Sequence, residues 1–539
     1  MLGARAPGGL AQAQRLVQTA PPPAASLLAA GPEAAAHTRH TDRMPASAPP
    51  DPTATAAAQP LNVLVLMSDE HNPKFLGCAG HPWIHTPHLD GLAARGTRLT
   101  QAYTCSPICV PARAAFATGR YVHEVGFWDN GDPYDGSVPS WHHVLRAAGH
   151  EAVSIGKLHF RGRPGDDHGF SRELLAMHVV DGVGDVKGQV RSDIPVRKGG
   201  DKMARLAGPG ESTYTRYDAQ IADTACDWLA QRAAQPAGKP WVLFVSLVCP
   251  HFPLTAPQRW YEHYAAMDLP LPKRYAPDER PRHPFDEEYG RVVDYDPHFR
   301  GPADVKRAVA GYSGLVSYMD EQAGRVLQAL RAHGLDERTL VVYTSDHGDN
   351  LGARGLWGKS TMYEESAGVP MIVAGPGVPA GRVVDTPVSH VDCATTILRA
   401  SGAQALEGAP GHDLCEIARG VQPDRSVLCE YHAIGSTAGA TMLRHGRWKY
   451  IHHVDKPAQL YDLTQDPEEL HDRAAAPACA AVLADCQARL RAVLDPDAVD
   501  RRAKARQAEL LALAGGREAA LARGDLGYTP APGTEATFD

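Results

Sequence analysis

Residues Asn62 to Ser68 read NVLVLMS, a short unbroken apolar run with polar residues on either side. That is the pattern of a parallel strand buried on both faces. Three further runs repeat it: Ala152 to Ile155, Trp241 to Val248 and Leu340 to Ser345. Each ends in chemistry: Asp69 after the first, Lys157 and His159 after the second, His251 after the third, Asp346 and His347 after the fourth. In an open parallel sheet, ligands bind beyond the carboxyl ends of the strands, so these distant residues are expected to meet. Between the strands, Tyr217, Ile221, Ala225, Trp228 and Leu229 recur at helical spacing, as do Val305, Val309, Tyr312, Val316, Met319 and Ala323. The alternation predicts an α/β fold, with a central sheet flanked by helices.

Two stretches, Val179 to Ser212 and Leu269 to Pro302, show no sustained period and are long for loops, so they are candidate substrate-covering insertions or plain surface loops. Beyond about Leu414 the pattern turns to short strands, at Val427–Tyr431, Thr441–Leu443 and Trp448–His452, with a turn at His445-Gly446. Asp466, Pro467 and Glu469 predict a helix start, and charged helices follow from Ala498 to about Arg523. The expected organisation is a leader over 1–60, a catalytic α/β domain over 61–414, a smaller α+β subdomain over 415–497, and a helical extension with a tail over 498–539. The leader holds 18 Ala and 10 Pro and is expected to be disordered, with Met44 a candidate true start.

Composition narrows the function. Lys+Arg 54 against Asp+Glu 62 leaves a net charge of −8, which argues against nucleic acid as a partner. No apolar run approaches a membrane span. The region Ala24 to Ala30 makes a poor secretory signal, so a cytoplasmic location is expected over a periplasmic or secreted one. Ten cysteines without a CxxC pair indicate neither a zinc site nor a disulfide scaffold. The 26 histidines make the positions of individual imidazoles the main question.

The string Cys109-Val110-Pro111-Ala112-Arg113, followed by Thr118-Gly119-Arg120, carries the most information. Pro111 suits a first helical turn, which puts Cys109 at a helix N-terminus, where anions are favoured, and Arg113 one turn on. These residues resemble the type I sulfatase signature CxPxR of the alkaline phosphatase superfamily. The resemblance spans roughly residues 61 to 480. It implies that Cys109 is oxidised by a formylglycine-generating maturation enzyme and that the hydrated aldehyde attacks sulfur. Cys105 lacks an Arg four residues on and does not fit.

Residue by residue, the resemblance makes Asp69 a metal aspartate and Asp346 and His347, in TSDHGD, the second metal pair. Lys157 and His159, in GKLHF, flank the nucleophile. His251, in CPHFP, protonates the leaving group, and Lys359, in LWGKSTMYEE, binds sulfate. With Arg113 these are the expected catalytic residues. Asp69, Glu70, Cys109, Asp346 and His347 are the expected ligands of one divalent cation. Carboxylates suit Ca2+, the imidazole of His347 suits Mn2+ as the alternative. Two histidines in opposite protonation states imply a bell-shaped pH profile.

His347 is similar to phosphonate monoester hydrolases and choline sulfatases, whereas the Lys157-x-His159 pair resembles sulfatases. The expected activity is therefore hydrolysis of a small-molecule sulfate monoester. Phosphonate monoester or phosphodiester hydrolysis is the alternative, and a non-catalytic metal-dependent binding protein is the outcome if Cys109 stays a thiol. Trp128-Asp129-Asn130 resembles choline sulfatases, with a ring beside a carboxylate that would suit a quaternary ammonium. By analogy with some relatives, a homo-oligomer is expected, with Tyr528 to Asp539 reaching a neighbouring subunit.

Overall fold

The computed structural model describes residues 59–539 apart from Ala237 and Arg282. Nearly all of the expected leader, including His37, His40 and Met44, lies outside the described residues. Eight strands form one mixed sheet: β1 Asn62–Asp69, β2 Thr97–Leu99, β3 Ala152–Lys157, β4 Arg172–Met177, β5 Val242–Pro250, β6 Thr339–Ser345, β7 Met371–Ala374 and β8 Arg382–Val384. Their order is β8-β2-β7-β6-β1-β5-β3-β4. The five strands from β6 to β4 are mutually parallel, and β7 runs antiparallel to both of its neighbours. The four strands expected from the apolar runs are thus adjacent in one parallel block.

Alternation along these strands divides the core between two faces. Val63, Val65 and Met67 pack with Val242, Phe244, Leu340 and Val342 on one face, under α1 (Cys109–Thr118) and α4 (His390–Ser401). Leu64 and Leu66 pack with Leu243 and Val245 on the other, under α2 (Thr213–Ala234) and α3 (Pro302–Ala332). The two stripes read from the sequence are buried on α2 and α3 as expected. Burial of each such side chain contributes roughly 1.5–3 kcal/mol, which is what holds helices to both faces.

The C-terminal part forms an antiparallel sheet of β9 Ser426–Tyr431, β10 Ala440–His445, β11 Trp448–His453 and β12 Gln459–Asp462. Its inner face packs on Tyr103, Ile108, Met362 and Tyr363, which come from the segments around α1 and Lys359. The fourth strand was not legible, because a four-residue run carries too little period. The helix expected at Asp466 does not form, and helix begins instead with α5 (Ala480–Val493). Glu469 adopts a left-handed backbone, and its buried carboxylate takes Lys449 at 2.7 Å and the Glu364 N–H at 2.7 Å. These long-range partners override the local helix signal. The charged extension is two helices, α6 (Pro496–Leu513) and α7 (Gly516–Ala522), divided at Gly515, whose φ of 94° favours glycine. Among the described residues no helix is long and apolar enough to cross a membrane.

Candidate active site

The sheet register sets four strand ends at one level. Ser68 of β1 pairs with Ser345 of β6, so Asp69 and Asp346 emerge side by side. Ser246 of β5 pairs with Met67 on one side and Gly156 on the other, which brings Lys157 and, just beyond β5, His251 to the same edge. Helix α1 begins at Cys109 with Ile108 as its N-cap, and all ten of its residues are buried. Asn130 pins this start by accepting the Val110 N–H through Oδ1 at 3.1 Å.

Arg113, 2% exposed, ties the strand ends together. Its Nη2 donates to Asp69 Oδ2 at 2.7 Å and its Nε to Asp346 Oδ2 at 2.8 Å. Nη1 donates to the Lys157 carbonyl at 2.8 Å and to Ser246 Oγ at 2.9 Å. All three nitrogens are thus committed to the protein, and the guanidinium acts on the carboxylates rather than outward. Lys157 Nζ sits 2.6 Å from the same Asp69 oxygen. Burial pushes the Asp69 carboxyl upward, but the charges of Lys157, Arg113 and Lys359 together hold it well below the carboxylate range.

Asp69, Cys109, Asp346 and His347 each offer a donor atom, all within 4.8 Å of one another and all buried. His347 turns Nε2 toward Cys109 Sγ, 3.2 Å away, because its Nδ1 is held by the Gly348 carbonyl at 3.0 Å. That second contact fixes the ring as the outer partner of a metal-ligating histidine does. Two carboxylates and an oriented imidazole around one point fit a divalent cation. Glu70 lies to one side. Its Oε2 is 3.1 Å from Lys359 Nζ and 3.3 Å from His251 Nε2, and its donor groups with Asp69 and His251 rather than with Asp346 and His347. Burial raises the Glu70 carboxyl to about 7 against the pull of Lys359.

Lys359 Nζ also lies 3.2 Å from Cys109 Sγ and donates to His251 Nε2 at 2.8 Å. His251 Nδ1 faces the Phe252 carbonyl at 2.6 Å, so the ring carries its proton on Nδ1 and accepts on Nε2. Burial and the Lys359 charge hold His251 neutral. His159 is buried in a left-handed backbone, φ 56°, and neither ring nitrogen has a hydrogen-bond partner among the described residues. Burial, with Lys157 and Arg113 nearby, keeps it neutral too. Burial and Asp69 push the Cys109 thiol up to about 11 despite Lys157 and Lys359. A thiol that stays protonated at neutral pH is a poor nucleophile.

Glu70, Cys109, His159, His251 and Lys359 line a cavity of about 150 Å³. Both aperiodic stretches wall it, one through Val179 and Met203, the other through Tyr289 and Tyr295. So does the C-terminal tail of the same chain, at Asp525 to Thr529. Asp525 pairs with Lys187 at 2.5 Å and Arg197 at 3.1 Å, and Tyr528 packs edge-on against Tyr214 and Phe252. Residues 525–529 of the tail therefore pack on their own chain at the cavity edge. Trp128 does not face the cavity either: it is buried against His432, under Arg502, and Asp129 accepts from Gln507. Only Asn130 of that triplet lines the cavity. Ser246 and Asp525 were missed, and Tyr528 was expected only as part of a tail reaching a neighbouring subunit. A lone Ser inside the apolar run of β5 was the one local signal available.

A family model described as sulfatase matches residues 61–403. The chain belongs to the sulfatase family. A second model, N-sulphoglucosamine sulphohydrolase, C-terminal, matches residues 352–495 of this sulfatase. A choline-sulfatase of Rhizobium meliloti (strain 1021) is 32% identical over 425 residues, covering 77% of this chain and 83% of its own. Arylsulfatase K of Bos taurus is 29% identical over 443 residues, covering 77% and 78%. Among solved structures, a phosphonate monoester hydrolase of Agrobacterium radiobacter superposes with a TM-score of 0.65 at 23% identity, covering 80% and 95%, a likeness of fold. The sulfatase is a sulfuric ester hydrolase, built on the α/β sheet with a C-terminal antiparallel subdomain that its sequence predicted.

Proposed function

We propose that this sulfatase hydrolyses a small-molecule sulfate monoester with a formylglycine made from Cys109 and a divalent cation held by Asp69, Asp346 and His347. The observation that carries it is the placement of Cys109: its Sγ lies 3.2 Å from Lys359 Nζ and 3.2 Å from His347 Nε2, within the buried donor set of Asp69 and Asp346, so a group at position 109 reaches both the cations and the metal donors. When present, the aldehyde hydrate would supply the attacking hydroxyl and the cation would lower its pKa and polarise the ester. Lys157 and Lys359 place positive charge beside position 109, where negative charge develops. Arg113 holds Asp69 and Asp346 at the spacing a cation needs. His159, with two unpaired nitrogens, is placed to take the proton released when sulfate leaves.

His251 accepts from Lys359 at Nε2, so the ring orients the Lys359 ammonium beside the leaving oxygen, which takes its proton on departure. A maturation enzyme is the partner this reading requires. The test is coexpression with a formylglycine-generating enzyme: the Cys109 peptide should lose mass, turnover of an aryl sulfate should appear, and Cys109→Ala should show none. An intact thiol in a fully active preparation would overturn the proposal. Side-by-side rates on aryl sulfate and aryl phosphonate should favour the sulfate.

A further inference from the structure

At the edge of the sheet, away from the donors around Cys109, two histidines converge on one carboxylate. Glu173, in the edge strand β4, has His168 Nδ1 at 2.9 Å from Oε1 and His178 Nε2 at 3.3 Å from Oε2. The ring centroids are 5.4 Å apart, and one donor atom from each of the three residues lies within 4.8 Å of the others. A tetrahedral ion with ordinary Zn–N and Zn–O bonds sets neighbouring donors about 3.3 Å apart, so the observed spacing is close to a coordination shell. His168 is buried, and His178 and Glu173 are about a quarter exposed, which leaves room for water as a further ligand.

The two imidazoles face Glu173 through His168 Nδ1 and His178 Nε2, the atoms that would serve as ligands. His168 Nε2 and His178 Nδ1 are buried without a partner among the described residues, so each ring gains one contact to Glu173 and forfeits its other. The backbone is shaped to close the cluster: β4 bulges between Leu174 and Met177, with Leu175 at φ 49°, and this bend carries His178 back toward Glu173. The Met177 carbonyl, next to His178, accepts the N–H of both Leu158 and His159.

We propose that His168, Glu173 and His178 form a second, zinc-type metal site that fixes the turn behind His159. Two imidazoles and one carboxylate favour Zn2+ over Ca2+ or Mg2+, which prefer all-oxygen shells. The bound ion would clamp β4 on both sides of its bulge and, through the Met177 carbonyl, the left-handed backbone that presents His159.

The test uses metal-depleted full-length protein loaded with Zn2+ alone, gel-filtered, and assayed for zinc by mass spectrometry and for melting temperature. The wild type should keep one zinc per chain more than His178→Ala or the near-isosteric Glu173→Gln, and zinc should raise its melting temperature by more than theirs. Asp346→Asn, which disables the other donor set, should keep this zinc. Should His178→Ala fail to fold by circular dichroism, Glu173→Gln decides. Equal zinc content in wild type and Glu173→Gln, or loss of all zinc in Asp346→Asn, would overturn the proposal.

Discussion

Arg113 Nη2 lies 2.7 Å from Asp69 Oδ2 at the head of the parallel block, with both residues buried. The same guanidinium reaches Asp346, so one planar side chain from α1 spaces two carboxylates from two strands. A lysine could hold only one of them in that geometry. Arg113→Lys is therefore expected to lower kcat/KM and metal affinity by about 10–100-fold, the usual effect of losing a residue that orients metal ligands. Steady-state kinetics with a metal titration checks it, and an unchanged metal affinity would refute the spacing role.

Metal dependence follows from the donor set. Chelation should abolish turnover, and Asp346→Asn should not recover it on reconstitution. An ion that binds only the folded state at one hundred times its Kd stabilises by about 2.7 kcal/mol, so the melting temperature of wild type should rise on adding metal. Comparing Mn2+ with Ca2+ tests whether the His347 imidazole sets the preference.

The tail wall gives a prediction on binding. Asp525 is 2% exposed and neutralises Lys187 and Arg197. Asp525→Asn keeps the shape but removes the charge, which frees residues 525–529 from the cavity edge. KM should rise while kcat changes less, since the reacting groups are untouched. A fall in kcat at constant KM would place the tail's effect in the chemistry instead.

Acid stability should report on Glu430. Burial raises its carboxyl, but His123 at 2.8 Å outweighs that and holds it at about 2. A depressed carboxyl contributes stability above its ordinary 4.5, and that contribution is lost as pH falls from there toward 2. Melting temperature plotted against pH should fall through this window in wild type and more shallowly in Glu430→Gln. Parallel curves would show that Glu430 is not the acid-labile group.

The sequence by itself determined what period and motif can determine. The unbroken apolar runs of NVLVLMS and its three counterparts specified buried parallel strands, and the residues at each strand's end specified where Asp69, Lys157, His251 and Asp346 would stand. Cys109-Val110-Pro111-Ala112-Arg113 specified a helix start with a cation one turn on. These are local properties, set by the pleat and the helical turn. Tertiary structure decided the rest, because it depended on partners distant in the chain. The Asp466 helix signal lost to Glu469's contacts with Lys449 and Glu364. Trp128 turned into the core against His432, Glu70 turned to Lys359 and His251, and the tail folded over its own cavity through Asp525. No local pattern encodes which charge a buried carboxylate will meet; the packing that makes burial costly also chooses its partner.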